Sequence, residues 1–254
     1  MKPLRTDLSV FSKFNFENRP VGVKFLLSKP EGIEQLDKKL ALCEMLKESY
    51  ERKAPFYFTR ENEDCFGKAT LGMMDSDKPF GESGLVGYKW GIFQEPRANT
   101  LLYHRNYHFG KGVVNYVVIS PIKQLAFEPD LLIFLARPEQ SEILLRAVTY
   151  STGEIYESKT GPVLGCSWLF VYPYLSGKVN YMNTNLSHGM KSRGALPDGM
   201  VLVSVPFQWI PTVARNLNEM EWVPQAYTMG RDRFLQERDR VIDEIVTEFR
   251  NINQ

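Results

Sequence analysis

Short runs of β-branched and aromatic residues alternate along this chain with segments of helical period, and a chain patterned this way packs a sheet against helices. Residues 20–27 form an apolar, β-rich run behind a turn at Pro20. In 33–50 the period changes: Ile33, Leu36, Leu40, Cys43 and Leu46 recur at helical spacing, with Lys38, Lys39, Glu44, Lys47 and Glu48 mostly opposite, which predicts a helix. Residues 56–59 read as a short strand, and 60–72 as a polar loop holding Cys65. Segment 77–88 is too glycine-rich for a clear helical reading. Residues 113–120 and 131–136 read as buried strands, and a helix over 138–150 follows with Pro138 in its first turn. After Gly165-Cys166, residues 167–172 read as a strand, and 200–205 as another that Pro206 ends. A charged helix over 231–251 carries Phe234, Leu235, Arg238, Val241, Ile242, Ile245 and Phe249 as its apolar stripe. The expected fold is α/β or α+β. It is a single mixed-sheet domain spanning 1–254, with flanking helices and a C-terminal amphipathic helix.

Composition narrows the function. A chain of 254 residues, 43% hydrophobic and 24% charged, buries a large core without disulfides. A net charge of +1, with no basic–aromatic clusters, argues against nucleic acid as a partner. No apolar h-region follows the first residues and no stretch approaches 18 apolar residues, so neither a signal peptide nor a membrane span is expected. The expected location is the cytoplasm. The phosphate-cradling glycine motifs, the serine nucleophile elbow and the zinc-protease H-E-x-x-H are absent, and Gly81 to Gly87 imitates the first only superficially.

Three cysteines remain as the chemistry-bearing set: Cys43, Cys65 and Cys166. An odd number without a secretion signal argues against a disulfide framework. They are either core thiols or ligands that converge on a metal. Cys43 lies on the apolar stripe of the predicted helix, where a free cysteine acts as a small hydrophobe. Cys65 sits among Glu63, Asp64 and Lys68, and Cys166 follows a glycine that permits close approach. Thiolates are soft donors that select iron–sulfur clusters, zinc or copper(I). The chain lacks a C-x-x-C pair, so a shared site requires the fold to bring distant segments together.

Several blocks in order carry a resemblance: Arg19-Pro20-Val21-Gly22-Val23-Lys24, Cys43-Glu44-Met45-Leu46, Asp64-Cys65 with Leu71-Gly72, Phe127-Glu128-Pro129-Asp130, and Cys166 leading to Tyr172-Pro173-Tyr174-Leu175-Ser176-Gly177-Lys178. The set resembles the domain-of-unknown-function 169 family of archaea and anaerobic bacteria, over about residues 15–215. The family pattern includes cysteines matching Cys43, Cys65 and Cys166. It also has a second glycine near the middle cysteine, where this chain reads Cys65-Phe66-Gly67-Lys68. The anaerobic distribution fits an oxygen-sensitive cofactor.

The resulting expectation is a cytoplasmic protein that holds a [4Fe-4S] cluster on Cys43, Cys65 and Cys166 with one iron open, or zinc instead. Beside it, Lys24, Tyr172, Tyr174, Lys178, Asn180, Asn183 and His188 are expected to line a polar-aromatic pocket for a small molecule. Tyrosines offer flat apolar area with a polar tip, and Gly177 allows close backbone approach. Iron–sulfur enzymology by Lewis-acid, sulfur-transfer or redox chemistry would follow, with no catalytic side chain assigned; an oligomer is compatible. The alternative is a metal-free small-molecule binding or sensing protein with structural cysteines. His104 and His108 are four apart, but Gly110 and Gly112 predict that any helix ends by His108.

Overall fold

The computed structural model describes residues 1–75 and 78–252. The chain groups into two compact units, Met1–Asn218 and Glu219–Gln254. In chain order the regular elements are β1 (Val21–Leu26), β2 (Glu34–Gln35), α1 (Leu42–Arg52), β3 (Phe56–Phe58), α2 (Gly67–Thr70), α3 (Lys78–Ser83), α4 (Leu85–Lys89) and α5 (Pro96–Arg105). There follow β4 (Tyr116–Pro121), β5 (Leu131–Ala136), α6 (Pro138–Thr149), a π-helical turn Ser167–Val171 that runs into α7 (Tyr172–Ser176), β6 (Asn180–Asn183), α8 (His188–Ser192), β7 (Val201–Pro206), α9 (Ile210–Glu219) and α10 (Arg231–Ile252).

All seven strands form one mixed sheet in the order β2-β3-β4-β1-β5-β7-β6. Only the short β2–β3 pair is parallel; β1 lies antiparallel between β4 and β5, and β5 antiparallel to β7. Every residue of β5 is buried, which is why its sequence reads as an unbroken apolar run rather than an alternation. Side chains still alternate between faces. Leu131, Ile133 and Leu135 join a core with Met45 and Leu46 of α1 and with Trp168 to Val171. From the other face, Phe134 meets Phe11 at a ring separation of 5.1 Å.

Two predicted elements take another form. Only the second half of 33–50 is helical, from Leu42 onward, with Glu34–Gln35 a strand. The buried Asn62 amide donates to Leu36 O at 2.7 Å and Lys38 O at 3.2 Å, and Leu36 N–H donates to Tyr57 O. Those carbonyls are drawn into the loop and the sheet edge, away from an intrahelical ladder. Leu36 and Leu46 are nevertheless buried, and Leu40 packs partly buried at the core margin. The 167–172 run is helical instead of a strand: Tyr172 N–H donates to Ser167 O, one residue wider than an α-turn. A short continuous apolar run fits either form when buried on all sides. Asp77 of the glycine-rich segment lies outside the described residues. Helix α5 ends at Arg105, before His108.

In the second unit, α10 carries Phe234, Val241, Ile242, Ile245, Val246, Phe249 and Ile252 exposed in this chain, and Leu235 partly buried. Among the described residues no helix is long and apolar enough to cross a membrane.

Candidate functional site

The three cysteines line one cavity of about 570 Å³. Cys43 enters from the first turn of α1, Cys65 from the turn before α2, and Cys166 from the turn before the π-helical segment. All three are free thiols and partly buried. Cys43 and Cys166 lie at the edge of the main core, so each side chain faces packed hydrocarbon on one side and the cavity on the other.

Each segment is shaped locally. Glu44 turns back to accept the Ala41 N–H at 2.8 Å, which fixes the start of α1 one residue before Cys43. Leu164 holds a left-handed backbone, φ +53°, two residues before Cys166, at a cost of about 1 kcal/mol for a non-glycine residue. Gly165 then lets the chain press onto α8: a Cβ there would stand 2.7 Å from Ser187 Oγ and 2.8 Å from Met190 Cε. Cys166 Sγ lies 3.6 Å from Thr70 Oγ1. The extra residue of the π-helical turn re-aims the chain just after the thiol, a device frequent at functional sites.

Burial pushes the Cys43 thiol up to about 12, with Glu44 and Cys65 adding to the shift. Burial does the same to Cys166, up to about 12; Thr70 opposes it, while Glu63, Cys65 and Cys43 reinforce it. The Cys65 thiol is also raised by burial, against the Phe66 N–H and the Arg193 guanidinium. In all three the largest cause is burial.

The remaining wall is apolar and aromatic, with few polar groups. Trp90 stands 57% exposed at the mouth, its ring 5.3 Å from that of His188. Tyr103, Val163 and Met190 also line the cavity, and Arg193 and Lys68 bring cations to it. Tyr103, Phe66 and Leu164 are shared with an adjoining cavity of about 360 Å³ that includes Thr70 and His108. Among the described residues, no three His, Cys, Asp or Glu side chains are grouped to hold a single metal ion.

Of the residues expected to bind a small molecule, the fold brings only His188 to the cysteines. Lys24 pairs with Asp130 at 2.6 Å on the sheet. Tyr172 packs on Tyr107, with the Lys159 ammonium over its ring. Tyr174 meets Phe25 and Phe109 edge-on. Lys178 pairs with Glu157 at 2.8 Å. Asn180 is 1% exposed and serves the backbone: it donates to Trp168 O and Lys159 O and accepts from Lys159 N–H. Asn183 caps the turn at Asn185. These side chains are taken up by packing and pairing away from the cysteine cavity. Trp90, Tyr103 and Arg193 take the place expected of them, and no local motif marks those three. Glu63 and Lys68, by contrast, stand in sequence beside Cys65.

The family model of domain-of-unknown-function 169, described as an uncharacterised ArCR group, matches residues 12–216, and the chain belongs to that family. It is similar to the uncharacterised protein MJ0308 of Methanocaldococcus jannaschii. The two are 23% identical over 200 residues, covering 73% of this chain and 81% of the archaeal one. No solved structure matches it significantly.

Proposed function

We propose that this protein holds a [4Fe-4S] cluster on Cys43, Cys65 and Cys166, beside a cavity that admits a small molecule. The observation that carries the reading is the convergence of its only three cysteines, from three distant segments, on one wall system. The donor set fits: three soft thiols line a cavity wide enough for a multi-atom group. When bound, such a cluster supplies one iron open to a ligand donor atom, as a Lewis acid or an electron relay. The chain's own contribution is the surrounding shell. Trp90 and Tyr103 offer flat apolar walls, His188 and Arg193 offer hydrogen-bond donors, and the core side excludes water. Thiols able to take up iron imply a reducing compartment, the cytoplasm.

A second reading, a metal-free small-molecule binder or sensor, is favoured by two features: the lining is mostly apolar, and burial pushes the Cys43 and Cys166 thiols up. Anaerobic reconstitution with ferrous iron and sulfide separates the two. The expected result is about four irons and four sulfides per chain. Cys43→Ser, Cys65→Ser and Cys166→Ser should each retain less. Iron no higher than in a triple serine variant would overturn the cluster reading and leave the metal-free binder.

A further inference from the structure

The segments that carry Cys43 and Cys65 meet at a backbone bridge, Leu40 N–H donating to Asn62 O and Asp64 N–H to Leu40 O, and two side chains outside the cysteine set tie them further. Glu63 is 1% exposed, and its carboxylate spans both segments. Oε1 accepts the Leu42 N–H at 3.2 Å, in the first turn of α1 and one residue before Cys43. Oε2 accepts the N–H groups of Cys65 and Lys68, each at 3.0 Å. The Lys68 ammonium closes the turn from outside by donating to the Glu63 carbonyl at 2.8 Å. Gly67 makes room: a Cβ there would stand 2.7 Å from Glu63 Oε1. On the rim, Arg193 donates to Glu44 Oε2 at 2.9 Å, and its other nitrogen stands 3.2 Å from Asp64 Oδ1. Glu44 follows Cys43 and Asp64 precedes Cys65, so the same two segments are tied a second time.

A carboxyl group is costly to bury, and burial raises that of Glu63 above its ordinary range against the N–H groups of Lys68, Cys65 and Leu42; a hydrophobic residue of similar volume would often serve packing as well. Two acceptor atoms directed at three backbone donors on two segments do something a hydrophobe cannot: beyond the Leu40–Glu63 bridge, they hold the first turn of α1 at a set offset from the Cys65 turn. Glutamine does not replace it. Its single acceptor can serve Cys65 and Lys68, but its amide N–H then meets the Leu42 N–H donor to donor.

We infer that Glu63 is a positioning residue that fixes the spacing of the Cys43 and Cys65 thiols before any ligand binds, with Arg193 as its outer counterpart. The inference rests on the thiols sharing a cavity and not on the identity of what they bind, so it can stand or fall apart from the cluster.

The test uses the reduced, metal-free full chain in a Cys166→Ser background, with dibromobimane as the probe. Loss of free thiol reports the first alkylation; fluorescence reports closure onto the second thiol. The background protein should bridge Cys43 to Cys65. Glu63→Gln should slow closure about tenfold relative to the first alkylation, the effect expected when one buried hydrogen bond is lost, at a melting temperature that still shows a folded chain. Gly67→Ala should do the same, because its methyl displaces the carboxylate without altering any charge. Arg193→Gln, at the exposed rim, should slow closure about threefold. Unchanged closure in folded Glu63→Gln overturns the inference, as does an absence of bridging in the background protein. If Glu63→Gln does not fold, Gly67→Ala decides by the same criterion.

Discussion

Strand β5 and the three cysteine segments are held in place by different physics. β5 lies between two antiparallel neighbours, buried on both faces, its backbone satisfied by a regular ladder. The cysteine segments share only one short backbone bridge among the described residues, Leu40 to Glu63, which joins those of Cys43 and Cys65. Beyond that bridge, their relative placement depends on the Glu63 carboxylate, the Arg193 guanidinium, a strained Leu164 and a π-helical turn. Stability is therefore concentrated in the sheet, and the geometry of the thiols rests on a few directional bonds. A site of this kind can change its chemistry through single residues while the scaffold stays the same.

Breaking the sheet side should have the largest effect. Phe134 has no exposed surface and packs against Phe11 and Phe16. Phe134→Ala should lower unfolding free energy by about 3–5 kcal/mol, read as a shift in denaturant midpoint. The molecules that remain folded should still bring their thiols together. Retention of full stability would show that the sheet is not where stability resides.

Asn180→Ala sharpens the division, since Asn180 belongs to the stretch expected to bind ligand yet is bonded to backbone at Lys159 and Trp168. The expected cost is about 2 kcal/mol, from leaving buried backbone groups unpaired. Iron content per folded chain should be unchanged. A selective loss of iron, with stability intact, would move Asn180 into the site.

The raised thiols give a pH dependence with a definite sign. Cys43 and Cys166 are pushed up to about 12, so both are protonated near neutrality. A metal takes the thiolate and releases the proton, so affinity rises with pH and falls as protons compete. Cobalt(II) affinity, followed by its thiolate charge-transfer absorbance, should increase at least tenfold from about pH 6.5 to 7.5. A flat profile would mean that the thiols are not the ligands.

The smallest effect on stability, and the sharpest on function, is expected from Cys65→Ser. Cys65 lies in the turn before α2, only partly buried, so melting should move by less than about 1 kcal/mol equivalent. Iron retention should drop all the same, because a hydroxyl is a poor donor to a soft metal. Cys43→Ser is the contrasting case: it puts a hydroxyl at the margin of the core and should cost more stability.

Most of the scaffold could be read from the chain. The strands at β1, β4, β5 and β7, helix α6 with Pro138 at its start, and the stripe of α10 follow from period and punctuation, which are local. The cysteines could be named as candidates because thiols are few and chemically distinct. What was not legible depends on contacts far apart in sequence. Asn62 captures the carbonyls of Leu36 and Lys38 and shortens α1; the burial of Trp168 to Val171 on all sides hides their helical form. Arg193 reaches Glu44 across 149 positions, and Trp90 meets His188, with no shared motif to announce either contact. The polar-aromatic stretch from Tyr172 to Asn183 has the composition of a binding site. Its groups are taken by Tyr107, Phe25, Glu157 and the backbone, and composition cannot distinguish a satisfied polar group from an available one.

The most direct test of a shared three-cysteine site is anomalous diffraction at the iron edge from crystals of anaerobically reconstituted protein. The expected result is one cluster-sized peak in the cavity, within bonding distance of the sulfurs of Cys43, Cys65 and Cys166, next to Trp90 and His188. Iron bound elsewhere, or a cavity without iron in protein that carries its full iron complement, would contradict it.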